Sequence, residues 1–358
     1  MGLSWALAFA GPAVALPSSQ GPLTVTATVT GLDEPWGFAF LPEGGVLITE
    51  RSGTLIHVAP DGTRSTVTGT PRVADAGQGG LLDILLPRDF AQTREVYLTF
   101  AARQRGGAGT ALARATLSAD AARLEGTEVI WELASGSSGG RHFGSRVVEG
   151  ADGFLYVTIG DRGDRPSAQD LSNENGSVVR VARDGSIPAS NPDLGQGARP
   201  GIYSYGHRNP QGAAVDAQGR IWVVEHGAAG GDEVNLVEAG ANYGWPTISY
   251  GRHYSGAKIG VGTSAPGLKQ PMHYWDPSIA PSGMMIYSGK LWPSWEGDIF
   301  VGSLKFDMIS RLERGTMVRE IERLSSDETL RVRDIREAPD GTIWFLSVGQ
   351  GALYRISL

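Results

Sequence analysis

Apolar positions along this chain fall in short runs rich in β-branched and aromatic residues, each bounded by turns that contain glycine, which reads as a succession of strands. One phrase recurs as "PEGGVLITERSGTLIHV", "ADGFLYVTIGDRG", "AQGRIWVVEHG", "WEGDIFVGSL" and "PDGTIWFLSVGQGALYRI", with a degenerate copy in "TREVYLTFAA". Anchored at Gly45, Glu95, Gly153, Gly219, Gly297 and Gly341, the copies are spaced at or above the roughly 40–50 residues that one propeller blade takes. The pattern predicts an all-β fold, a six-bladed β-propeller of four-stranded antiparallel blades, as one domain over residues 20–358. Radial closure would also protect the strand edges that a long open sheet exposes. A pair of β-sandwiches is the competing all-β arrangement, because alternation alone does not count blades.

Composition narrows the classes. Of 358 residues, 41% are hydrophobic and 19% charged, with no long polar tract, which excludes a disordered chain. The net charge of −7 comes without a basic cluster, so a nucleic-acid partner is not expected. With no cysteine, disulfides, thiolate metal sites and cysteine nucleophiles are excluded. Residues Leu3 to Leu16 form a small-residue apolar stretch ending in Ala13-Val14-Ala15, the form of a signal-peptidase site. Residues 1–19 are therefore expected to be an export-signal remnant or a disordered N-terminus, and the mature protein to be periplasmic or secreted. No other run approaches the roughly 20 apolar residues of a membrane span, so the chain is not expected to span one.

Chemistry is sought in the long loops. "GGRHFGSRVV" exposes His142 among glycines, as a base or as a hydrogen-bonded loop residue, and "YVTIGDRGD" ends a strand at Asp161, which could orient an imidazole or cap a turn. "YSYGHRNPQG" sets Arg208 and Asn209 on a rigid turn before Pro210, suited to an anionic or carbonyl-bearing ligand. The Gly-rich loop before Asp232 and Glu233 offers hard oxygens of the kind Ca²⁺ prefers, though without EF-hand spacing. Lys305, Arg331 and Arg333 place cations beside strands, and alternation would turn both arginines to one face.

In order along the chain, "GQGGLLDILL", "GGRHFGSRVV", "YVTIGDRGD", "GHRNPQG", "EHGAAGGDEVN", "NYGWP", "APSGMMIYSG", "VGSLKFD" and "RVRDIREAPDG" resemble the soluble quinoprotein aldose (glucose) sugar dehydrogenases, six-bladed propellers that use pyrroloquinoline quinone (PQQ) and Ca²⁺. The resemblance implies His142 as general base, Asp161 orienting it and meeting the substrate, and Gln78 contacting cofactor and substrate. It implies Arg208 and Asn209 at the quinone, and Lys305, Arg331 and Arg333 on the carboxylates of PQQ. It places carbonyls of Gly227 and Ala228 on one calcium ion, Glu233 and Tyr243 on a second, and Trp275 at the sugar-entry face. Relatives generally carry proline where this chain has Ala228. The implied reaction is hydride transfer from C1 of an aldose to PQQ, giving a lactone, with electrons passed to an external acceptor such as a quinone, cytochrome or artificial dye. A calcium-dependent propeller lactonase and a non-catalytic carbohydrate- or protein-binding propeller are the competing readings; the cationic trio argues against the first and the His142, Asp161 and Arg208 set against the second.

Overall fold

A computed structural model describes residues 13–358, and its strands form six antiparallel sheets arranged as the blades of a propeller. Five of the expected anchors, Gly45, Gly153, Gly219, Gly297 and Gly341, sit in the hairpin that joins the first and second strands of a blade, all at φ between 78° and 88°. Only glycine takes that conformation without strain, which is why the turn is legible in sequence. In the second blade a short helix, Phe90–Thr93, replaces the tight turn, which accounts for the degenerate repeat before Glu95.

The first strands of the blades, Pro35–Phe40, Leu81–Leu85, Val147–Glu149, Pro210–Val215, Pro281–Ile286 and Val332–Glu337, pack on one another in sequence, and the last returns to the first. Apolar side chains are not buried within blades but between them. Leu47 and Leu55 of the first blade meet Leu81 and Leu98 of the second, and Tyr97 and Leu112 of the second meet Val157 and Val179 of the third. Four further clusters complete the circuit, so the core is a ring of six wedges.

Both ends of the described chain, residues 13–358, build the sixth blade. Leu23–Val29 pairs with the C-terminal strand Ala352–Ser357, and Val14–Leu16 adds a fifth, outermost strand to an otherwise four-stranded blade. Leu16, Leu23 and Val25 are fully buried among Trp295, Phe345 and Ile356. The leader-like stretch lies outside the described residues up to Pro12; its end does not, and cleavage after Ala15 would cut the outermost strand. Among the described residues no helix is long and apolar enough to cross a membrane.

The axis is polar. Arg146 joins Asp83 at 2.9 Å and Asp334 at 3.0 Å, and Arg336 joins the same two carboxylates at 2.6 and 2.9 Å. This layer ties the inner strands of the second and sixth blades to the start of the third.

Candidate active site

Residues at the starts of the inner strands, among them Trp36, Leu82, Gln211 and Arg333, line an axial cavity of about 710 Å³ at one end of the ring. Eight of the expected residues, drawn from all but one of the blades and the loops between them, border it: Gln78, His142, Arg208, Asn209, Gly227, Lys305, Arg331 and Arg333.

His142 lies on the loop before the third blade at φ 54°, a left-handed conformation uncommon for a residue with a β-carbon. Its amide donates to Gln78 Oε1 at 2.8 Å, and its Nδ1 lies 2.6 Å from Asp161 Oδ1. The carbonyl of His142 is approached so closely that a β-carbon at position 160 would stand 2.1 Å from it, which is why Gly160 precedes Asp161. Burial of Asp161 would raise its pKa, but the His142 contact, the Gly163 amide and Trp245 Nε1 at 2.8 Å together hold it below the ordinary carboxylate value. An ionised Asp161 makes Nδ1 of His142 the donor and leaves Nε2 as a lone pair. Burial lowers the His142 pKa against the hydrogen bond that it donates to Asp161, and the cations Arg208 and Arg141 lower it further. The imidazole is therefore neutral at neutral pH.

Arg208 is held by its backbone amide on Glu225 Oε2 (2.6 Å) and by Nη1 on the His226 carbonyl (3.2 Å). Its Nε and the Nε2 of His226 are buried without a partner. Asn209 Oδ1 accepts from the Gly144 amide and from Gln211 Nε2, each at 3.2 Å. Arg333 donates to Gln211 Oε1 at 3.0 Å, and its pKa is pushed down to about 9, by burial and then by Arg146, Arg331 and Arg51. Arg331 stands at φ 52°, one residue before its strand, with its amide on Asp307 and Nη1 on the Leu304 carbonyl. Strand alternation therefore does not aim it; the turn does. Among the described residues no carboxylate forms an ion pair with Arg208, Lys305, Arg331 or Arg333.

Other expected residues sit elsewhere. Asp161 is fully buried behind His142 with both oxygens engaged, so it reaches the cavity only through the imidazole. Ala228 packs with Ala168, Trp245 and Ile259, and its carbonyl accepts from the Arg252 amide, so of the expected pair only Gly227 borders the cavity. The Tyr243 hydroxyl donates to the Leu236 carbonyl and accepts from the Glu238 amide, and its ring stacks on His207. Burial and then neighbouring Glu225 raise the Glu233 carboxyl, whose Oε2 accepts from Asn235. Trp275 is 4% exposed in the wedge between the fourth and fifth blades, its Nε1 directed to Glu320, so it is not at the cavity mouth.

Sequence reasoning missed Arg51, His226 and Tyr254. Arg51 pins the Gln78 loop by donating to the carbonyls of Gly77 and Gly79. The His226 ring hydrogen-bonds the Pro281 carbonyl, and Tyr254, 79% exposed, is the aromatic residue that lines the mouth. Arg51 was findable, since it follows a blade's second strand, the position at which Asp161 and His226 also cluster.

The profile of the glucose/sorbosone dehydrogenases matches residues 32–355. The chain is 40% identical to the aldose sugar dehydrogenase YliI of Escherichia coli (strain K12), with 97% of each chain covered. It superposes on the crystal structure of the soluble aldose sugar dehydrogenase from Escherichia coli in its apo-form with a TM-score of 0.90, at 38% identity over 94% of this chain and 99% of that one. Against the PQQ-bound aldose sugar dehydrogenase of Streptomyces coelicolor the TM-score is 0.77, at 26% identity over 94% and 98%.

Proposed function

Because the chain belongs to the glucose/sorbosone dehydrogenase family, we propose that it oxidises the C1 hydroxyl of an aldose to the lactone with PQQ in the axial cavity, passing electrons to an external acceptor. The observation that carries this reading is the set of four cations without carboxylate partners, facing the same cavity as a neutral histidine. In a chain of net charge −7 such a set calls for a compact polyanion. Arg208 Nε and His226 Nε2, an unmet N–H and an unmet lone pair, call for a ligand that both accepts and donates. A tricarboxylate quinone fits: Lys305, Arg331 and Arg333 would hold its carboxylates, and Arg208 and Asn209 would lie beside its ring. When bound, that group supplies the two-electron acceptor that no side chain here provides.

The remaining work belongs to the chain's own residues. Asp161 fixes the imidazole, and His142 Nε2 takes the proton of the anomeric hydroxyl. The Arg208 guanidinium steadies negative charge developing on oxygen. Tyr254 offers a ring on which a pyranose can stack. Calcium fits less well: the Ala228 carbonyl already accepts from the Arg252 amide, and the Tyr243 hydroxyl is engaged with the Leu236 carbonyl and the Glu238 amide.

Titrating the protein with PQQ while following tryptophan fluorescence tests the reading. Saturable quenching is expected, followed by dye bleaching when glucose or another aldose is added. Lys305→Ala and Arg331→Ala should each raise the PQQ dissociation constant roughly tenfold, as for a lost hydrogen bond to a charged group. An absence of saturable quenching would reject the proposal.

A further inference from the structure

We propose that Arg162 is a positioning residue for the candidate base, fixing the backbone of the His142 loop through the residues on either side of His142. The inference rests on the reading of His142 as the base.

The loop is contorted. Gly140, His142, Gly144 and Ser145 have φ of 59°, 54°, 63° and 74°. For a residue with a β-carbon this region is strained, and it persists only where the surroundings dictate it. The contacts that dictate it can be traced one by one. The Gly140 carbonyl accepts from the Gln78 amide at 2.8 Å, and the His142 amide donates to the Gln78 side chain. The Phe143 carbonyl accepts from Thr110 Oγ1 at 2.7 Å, the Gly144 amide donates to Asn209, and the Ser145 carbonyl accepts from Thr99 Oγ1 at 2.6 Å. The carbonyl of Arg141, the peptide group that leads into His142, accepts from Arg162 Nη1.

The same guanidinium lies over the Phe143 ring, 3.4 Å from its centroid, while Nη2 donates to the Ala108 carbonyl at 3.1 Å. One planar group thus grips the residue before the base, covers the residue after it, and anchors both to the second blade. Arg162 is 2% exposed, its Nε has no partner, and among the described residues it forms no ion pair. A buried cation without a counter-ion is costly. Burial lowers its pKa to about 10, which still leaves it charged at neutral pH. An apolar side chain of similar length would fill the space, but it could not donate to two carbonyls while lying flat on a ring. Asp161 sets the His142 side chain and its neighbour Arg162 sets the His142 backbone, so one turn of the third blade governs both.

The decisive variants are Arg162→Met, which keeps bulk but no donor, and Arg162→Lys, which keeps one cationic donor in case the first fails to fold. With PQQ bound, Arg162→Met should lower kcat roughly 10- to 100-fold, the penalty of a misplaced catalytic group, while KM and the PQQ dissociation constant change less than about threefold. Arg162→Lys should recover part of the loss. In protein without PQQ, the low-field NMR proton of the short His142 Nδ1 to Asp161 contact should broaden or vanish in Arg162→Met and return in Arg162→Lys. Unchanged kcat in either folded variant, or an intact low-field proton in Arg162→Met, would overturn the proposal. Because that proton is read without turnover, the test separates this inference from the base assignment, which fails only if His142→Ala stays active.

Discussion

As the proposed base, His142 could act only while Nε2 carries no proton, and its surroundings push in that direction. Burial and the cations Arg208 and Arg141 lower its pKa, so the neutral form persists below the ordinary histidine value of about 6.5. The kcat/KM of the PQQ-loaded protein should therefore stay level from neutral pH down to that value and fall only below it; an inflection above pH 7 would contradict the assignment. Asp161→Asn removes the carboxylate that fixes the tautomer. It should cost on the order of 10²–10⁴ in kcat, as orienting carboxylates do elsewhere, with PQQ affinity preserved. Steady-state kinetics beside fluorescence titration would check both halves. That His142 and Arg208 meet at one cavity was legible because they sit in contiguous loop phrases at blade ends. Trp275 and Ala228 were misplaced because the direction in which a loop residue turns is decided by distant partners, here Glu320 and Arg252, which no local pattern announces.

At the scale of elements, the first hairpin of a blade carries its own instruction in a left-handed glycine, so blade count could be read directly. The closure strand could not. Leu23–Val29 belongs to no repeat of its own, and its partner lies at the other end of the chain. Its weight is nevertheless measurable, because Leu23 is 1% exposed in the wedge between the fifth and sixth blades. Leu23→Ala should cost about 2–5 kcal/mol, read from denaturant unfolding followed by tryptophan emission. An unchanged midpoint would mean that the strand contributes little to closure. Arg331 and Arg333 do reach one cavity as expected, but not by alternation along one strand: the strand begins at Val332, after the turn that sets Arg331.

For the whole molecule, stability depends on the charged layer across the axis as well as on the wedges. Asp83 is fully buried and accepts from Arg146, Arg336 and the Val147 amide. Asp83→Asn leaves two guanidiniums short of a counter-charge, so a loss of roughly 3–5 kcal/mol is expected, seen as a lower unfolding midpoint with little change in the PQQ titration. Acid should act on the entire ring. His57, His142, His226 and His273 all have lowered pKa values, first of all through burial. For these four groups the unfolded chain binds more protons than the folded one below about pH 6.5, so their contribution is full above that value and declines as pH falls through it toward the folded values, outweighing the opposing proton held by Glu233, which burial raises to about 8. Melting temperatures recorded between pH 7 and pH 5 would fall; a flat profile would contradict this.

That one blade is stitched from the first and last strands has a consequence for biogenesis. Until Leu23–Val29 and Ala352–Ser357 meet, the circle lacks its closing pair of strands. The ring around the charged chamber is thus complete only when segments from opposite ends of the described chain have paired. A chain lacking Ala352–Ser357 would leave Leu23–Val29 and Ile343–Ser347 with raw strand edges.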